Sequence, residues 1–141
     1  MGEPNPEQAE REIKLISYSV RKGTPKSAEW LNGYGLKRFD VSKVIDNPFR
    51  VPSLRVLNGL HPDVQQFIKR CPRTTTLLNE AEYFARHMWG LKAVAFGCYG
   101  GKHRSVAMVE LLAARLASDP TASHIRVKIE HRDINQEGGE K

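Results

Sequence analysis

The densest run of reactive and cationic side chains in this 141-residue sequence is the nonapeptide Gly97–Ser105, GCYGGKHRS. Gly97, Gly100 and Gly101 let a backbone curl close to a bound group, and Lys102, His103 and Arg104 add positive charge or hydrogen-bond donors on the same arc. An oxyanion such as phosphate is the guest this composition suits. Arg104 is the expected clamp because a planar guanidinium grips two oxygens at once, with backbone N–H groups from Tyr99 to Ser105 for the rest. The plain alternative is a glycine-rich turn with a basic solvent face.

Two catalytic patterns touch the same residues. Cys98 and Arg104 are spaced Cys-x5-Arg and followed by Ser105, as in cysteine-dependent phosphatases. There a thiolate attacks phosphorus, the arginine binds phosphoryl oxygens and the hydroxyl assists the leaving thiolate; a helix N-terminus and nearby cations lower the thiol pKa. Asp46 and Asp133 are general-acid candidates only by default, and Gly97 stands where such enzymes usually place histidine. A small buried cysteine at a strand end is the more frequent role. A Walker A loop would need glycine in place of Phe96 and a hydroxyl in place of His103, so Lys102 after Gly101 is a partial echo and a magnesium-dependent triphosphatase is disfavoured.

The elements around the loop decide whether it can work. Residues 92–96, KAVAF, form a short apolar run predicted as a buried strand, and residues 105–118, SVAMVELLAARLAS, form the strongest helix pattern, stopped by Asp119-Pro120. The loop therefore joins a strand end to a helix N-terminus, whose unpaired N–H groups and partial positive charge favour anions. Residues 124–130, HIRVKIE, alternate as a strand with one wet side. Strand, loop, helix and strand make a βαβ unit and an α/β class, with a mostly parallel or mixed sheet and flanking helices. Upstream, residues 13–20 and 38–44 read as strands, 27–35 as a short helical turn, and 62–69 and 75–89 as helices. Pro48 and Pro52 argue against regular structure in IDNPFRVPSLR.

Composition narrows the class of ligand. The formal charge is +6, but residues 13–132 hold 20 basic against 9 acidic side chains, a body of +11 flanked by acidic ends. Such a body suits phosphate-bearing partners. Residues 1–12 and 134–141 read as flexible tails and 13–133 as the domain. No apolar stretch of membrane-spanning length and no secretory signal pattern occur, and Cys71 and Cys98 have no CxxC companion. The expectation is a cytoplasmic chain with no membrane attachment, no structural metal and no resident cofactor.

The motifs together resemble the C-terminal domain of the bacterial RNase adapter family RapZ. The resemblance rests on GCYGGKHRS, similar to the family's GCTGGxHRS, on SYSVRKGTP at 17–25, FDV at 39–41, NPFRVPSLR at 47–55, GL at 59–60 and VKIEHRD at 127–133. It implies a domain that binds an aminosugar phosphate, glucosamine-6-phosphate, and small regulatory RNA, and that presents RNA to an endoribonuclease. A phosphorylated small molecule, RNA and a nuclease are thus the implied partners, and a homo-oligomer is compatible with them. Full-length members carry a kinase-like P-loop domain, so this chain reads as a stand-alone version.

Residue by residue, the resemblance maps Cys98, Gly100, Gly101, His103, Arg104 and Ser105 onto the ligand loop. Lys22 falls where members often carry histidine. Tyr99 replaces the usual threonine and Lys102 a commonly neutral residue, which adds bulk and charge and leaves a larger or more anionic ligand open. A nucleotide-binding module is a further alternative. Lys43, Arg50, Arg55, Arg126, Lys128 and Arg132 are the candidate RNA phosphate contacts, each otherwise a solvated surface charge, and Phe49 or Tyr18 the candidate stacking rings.

Overall fold

The first strand, β1 (Arg11–Ser19), explains the layout. Its inward positions alternate between two faces: Ile13 and Leu15 join the main core, while Ile16 and Tyr18 join a separate small cluster with Ala95. A strand buried on both faces belongs in the middle of a sheet. The computed structural model describes residues 10–21, 35–88 and 90–135, and in it β1 lies between β3 (Ala93–Cys98) and the edge strand β4 (Ile125–His131), with β2 (Leu36–Asp40) outside β3. All four strands are parallel, so the mixed arrangement allowed by the sequence resolves into a single direction. The register sets Ser17 opposite both Phe96 and His131, and Ser19 opposite Cys98.

Parallel strands need crossover connections, and between β2 and β3 and between β3 and β4 helices supply them. In chain order they are α1 (Pro52–Arg55), α2 (Pro62–Arg70), α3 (Pro72–His87) and α4 (Arg104–Ser118). α4 lies against β1, β3 and β4, with Met108 and Leu112 fully buried. Each such side chain contributes about 1.5–3 kcal/mol relative to exposure. Phe39 and Phe96 stack at 5.3 Å in the same core. Arg11 opens β1 by donating to the carbonyls of Met88 (3.0 Å) and Ala85, which caps the end of α3 with a cation.

Four expectations shift. Pro48 and Pro52 do not exclude regular structure: Pro48 opens a 3-10 turn (Pro48–Arg50) and Pro52 opens α1, because the first helical position needs no N–H and tolerates the fixed φ of proline. Pro72 likewise starts α3 three residues earlier than its apolar periodicity indicates. β2 ends at Asp40, whose carboxylate accepts from the Ser42 backbone and hydroxyl (3.0 and 2.6 Å) and turns the chain. β3 continues through Gly97 and Cys98, so the loop proper begins at Tyr99. The expected tail residues 1–9 and 136–141, Lys22 and most of the 27–35 turn lie outside the described residues. No helix among the described residues is long and apolar enough to cross a membrane.

Candidate functional site

The chain leaves β1 toward β2 on one side and leaves β3 toward β4 on the other. That reversal between neighbouring strands opens a crevice at their carboxyl ends in parallel sheets, the usual place for a ligand. Residues 20–21, 41–45, 99–103 and 132–133 all leave strands at this end.

Residues 99–103 are braced from both sides. The strands stay joined beyond their ends: Val20 N–H donates to Cys98 O (2.8 Å), and Arg21 N–H and Ser19 Oγ donate to Tyr99 O (3.2 and 2.8 Å). Gly101 has φ +71°, and a Cβ there would lie 2.8 Å from Ser19 N and 2.9 Å from Asp133 Cβ. Both the backbone and the space demand glycine. On the far side, Gly59 N–H donates to Lys102 O (2.9 Å), and Gly59 sits so close to α4 that a Cβ would meet Ala107 N at 2.4 Å.

The chemistry-bearing side chains divide sharply by exposure. Cys98, His103 and Ser105 are fully buried and Arg104 is 3% exposed. The Cys98 thiol donates to Ser105 Oγ (3.2 Å) and its sulfur accepts from Ser105 N–H (3.4 Å), so the thiol sits under the first turn of α4. Arg104 turns away from a simple clamp: Nη1 donates to the carbonyls of Ser42 (2.7 Å) and Ile45 (3.3 Å). A phosphate bound through this nitrogen would compete with the turn after β2. Tyr99 is exposed at the loop tip, with the Arg21 guanidinium 5.2 Å from its ring centroid. No acidic residue occupies the first turn of α4.

Several participants were not singled out by type and spacing. Arg21 directly follows β1 and Val20, and only the paired strand ends bring it onto Tyr99. Ser17 and Ser19 carry a legible signal, since small polar residues at inward positions of an apolar strand need partners. Ser17 Oγ lies 2.7 Å from His131 Nδ1, and His131 Nε2 lies 3.1 Å from Glu110 on α4. Ser19 N–H donates to Asp133 Oδ2 (2.7 Å). Asp133 thus borders the loop at Gly101, whereas Asp46 lies beside Cys71, whose thiol burial pushes up. Burial, reinforced by the Asp40 carboxylate, likewise raises the Tyr18 phenol pKa.

The six RNA candidates fall into two groups at opposite edges of the sheet. Lys43, Arg50 and Arg55 follow β2, and Arg55 is folded back, its Nε donating to Phe49 O (2.8 Å) and its guanidinium covering the Phe49 ring. Arg126 and Lys128 on β4 pair with Glu10 (3.3 Å) and Glu12 (3.5 Å), and Arg132 with Glu130 (3.6 Å). Tyr18 is buried, which removes it as a surface stacking ring.

Comparison with known proteins places most of the chain in one family. The sequence profile of a family described as the RapZ C-terminal domain matches residues 11–135. A nucleotide-binding protein of Koribacter versatilis is 36% identical over 129 residues, covering 86% of this chain and 38% of the relative. A nucleotide-binding protein of Trichlorobacter lovleyi is 33% identical over 132 residues, covering 88% of this chain and 42% of the relative. The chain thus spans about two fifths of the length of these curated relatives.

Proposed function

Because the chain belongs to the RapZ C-terminal domain family, we propose that it is a regulatory domain that holds a phosphorylated small molecule at the 99–105 loop and contacts RNA. The observation that carries this reading is the first turn of α4. It is free of acidic residues, is approached through a positive-φ glycine, and is preceded by Lys102 and His103. The partial positive charge of a helix N-terminus favours an oxyanion. Lys22, Tyr99, Gly100, Gly101, Lys102, His103 and Arg104 are the proposed contacts, and residues 13–133 the proposed functional unit between acidic tails.

Glucosamine-6-phosphate is the ligand the family resemblance favours; the nucleotide-binding relatives make nucleotides the next class. RNA contact would rest on Lys43, Arg50 and on Arg126, Lys128 and Arg132 once freed from their acidic neighbours. In this reading the chain acts in the cytoplasm, beside an endoribonuclease. The test is titration calorimetry with glucosamine-6-phosphate and inorganic phosphate, alongside RNA mobility shifts at increasing salt. Saturable binding weakened by Lys102→Ala, together with RNA affinity that falls steeply with salt, is the expected result. Failure of all phosphate ligands to bind or raise Tm sinks the pocket.

One observation favours a second reading. The Cys98 thiol, buried under a helix N-terminus and bonded to Ser105, has the placement of a phosphatase nucleophile. Release of phosphate from p-nitrophenyl phosphate, abolished in Cys98→Ser, would establish it. The Arg104 Nη1 contacts with Ser42 and Ile45 weigh against a phosphoryl clamp in either reading, since a phosphate on that nitrogen would compete with them.

A further inference from the structure

Tyr99 is the one aromatic ring on the described part of the ligand loop, and three features fix it there. Its carbonyl is held by both the Ser19 hydroxyl and the Arg21 N–H, which pins the backbone that carries the ring. The Arg21 guanidinium lies over the ring at 5.2 Å, backing it with positive charge. Yet the residue keeps 37% of its surface exposed, in a loop whose next glycines and His103 are buried. An exposed aromatic held rigid at the mouth of a phosphate loop loses little entropy when a flat partner arrives.

We propose that Tyr99, backed by Arg21, is a stacking platform that makes this site select phosphate monoesters bearing a nucleobase. The proposal rests on the phosphate reading of the loop given above. Every base has a π-face, so the platform recognises planarity and leaves base identity to other contacts. The guanidinium over one face of the ring adds positive charge to the site. A sugar phosphate without a base would use the loop alone and gain nothing from the ring. The same chemistry is offered by a free nucleotide and by the 5′-phosphorylated end of single-stranded RNA.

The experiment titrates the full chain with AMP, ribose 5-phosphate and inorganic phosphate, and with a short single-stranded RNA bearing either a 5′-phosphate or a 5′-hydroxyl. AMP is expected to bind at least about tenfold more tightly than ribose 5-phosphate, the discrimination one stacked base supplies. Tyr99→Leu abolishes that ratio, and Tyr99→Phe restores it. Preference of wild type for the 5′-phosphorylated over the 5′-hydroxyl RNA assigns the site to RNA ends; preference for AMP alone assigns it to free nucleotides. Equal binding of AMP and ribose 5-phosphate overturns the platform and leaves the phosphate loop standing. Absence of binding by inorganic phosphate and every monoester overturns both.

Discussion

Arg104 Nη1 and the Ser42 carbonyl are 2.7 Å apart, a contact that ties the first turn of α4 to the chain leaving β2. The guanidinium is 3% exposed and reaches Ile45 O as well, so it fastens the first turn of α4 to the segment that follows β2. Whatever the side chain offers a ligand, its Nη1 contacts are those of a structural latch.

Removing that latch is expected to be costly. Arg104→Ala should lower unfolding free energy by about 1.5–3 kcal/mol, the range for hydrogen bonds from a charged donor. Arg104→Lys should recover part of it, because the ammonium keeps the charge and a donor but lacks the rigid planar geometry that holds Nη1 between the two carbonyls. Urea unfolding of the three proteins measures this; a change below about 0.5 kcal/mol for the alanine variant contradicts the latch.

Gly101 is expected to tolerate no side chain. With φ at +71° and neighbours at 2.8–2.9 Å, Gly101→Ala combines the left-handed penalty of about 1–2 kcal/mol with a forced shift of Ser19 or Asp133. Gly90→Ala is the control, since a Cβ there meets nothing within 4 Å. Thermal unfolding should separate the two variants clearly, and phosphate titration should show a loss confined to Gly101→Ala.

The Glu110–His131–Ser17 chain predicts a tautomer. The Glu110 carboxylate requires an N–H at Nε2, so Nδ1 accepts from the Ser17 hydroxyl, and both ring nitrogens of neutral His131 are satisfied. Nitrogen NMR should report the Nε2–H form. Ser17→Ala, which strands a poorly solvated Nδ1, should cost about 1–3 kcal/mol. An Nδ1–H spectrum would contradict the chain.

Acid stability has a named contributor. Asp119 Oδ1 accepts from Thr121 Oγ1 (2.7 Å) and Thr121 N–H (2.9 Å), and Oδ2 from Arg86 (2.8 Å). These bonds, Thr121 first and Arg86 after, hold its pKa below the ordinary 3.8. A depressed folded pKa gives stability that is complete above 3.8 and lost as pH falls through the lower folded value. Asp119→Asn should flatten the acid limb of a stability-against-pH curve by lowering stability at neutral pH, where the carboxylate contributes, and should leave stability below the folded pKa nearly unchanged.

Sequence alone determined the α/β class, the βαβ core from KAVAF through the long helix to HIRVKIE, and the loop between them, because period and glycine punctuation are local properties. Family membership was legible too, carried by several separated motifs in order. Tertiary structure decided what local pattern cannot hold. The parallel order β2-β3-β1-β4 sets Ser17 beside His131 and Ser19 beside Cys98, pairings separated by 114 and 79 positions along the chain. It also turned Arg104 Nη1 toward the Ser42 and Ile45 carbonyls and brought Arg21 onto Tyr99. Residue type specifies what a side chain can bond, but its neighbours are fixed only when strands from distant parts of the chain share one sheet and one helix covers them.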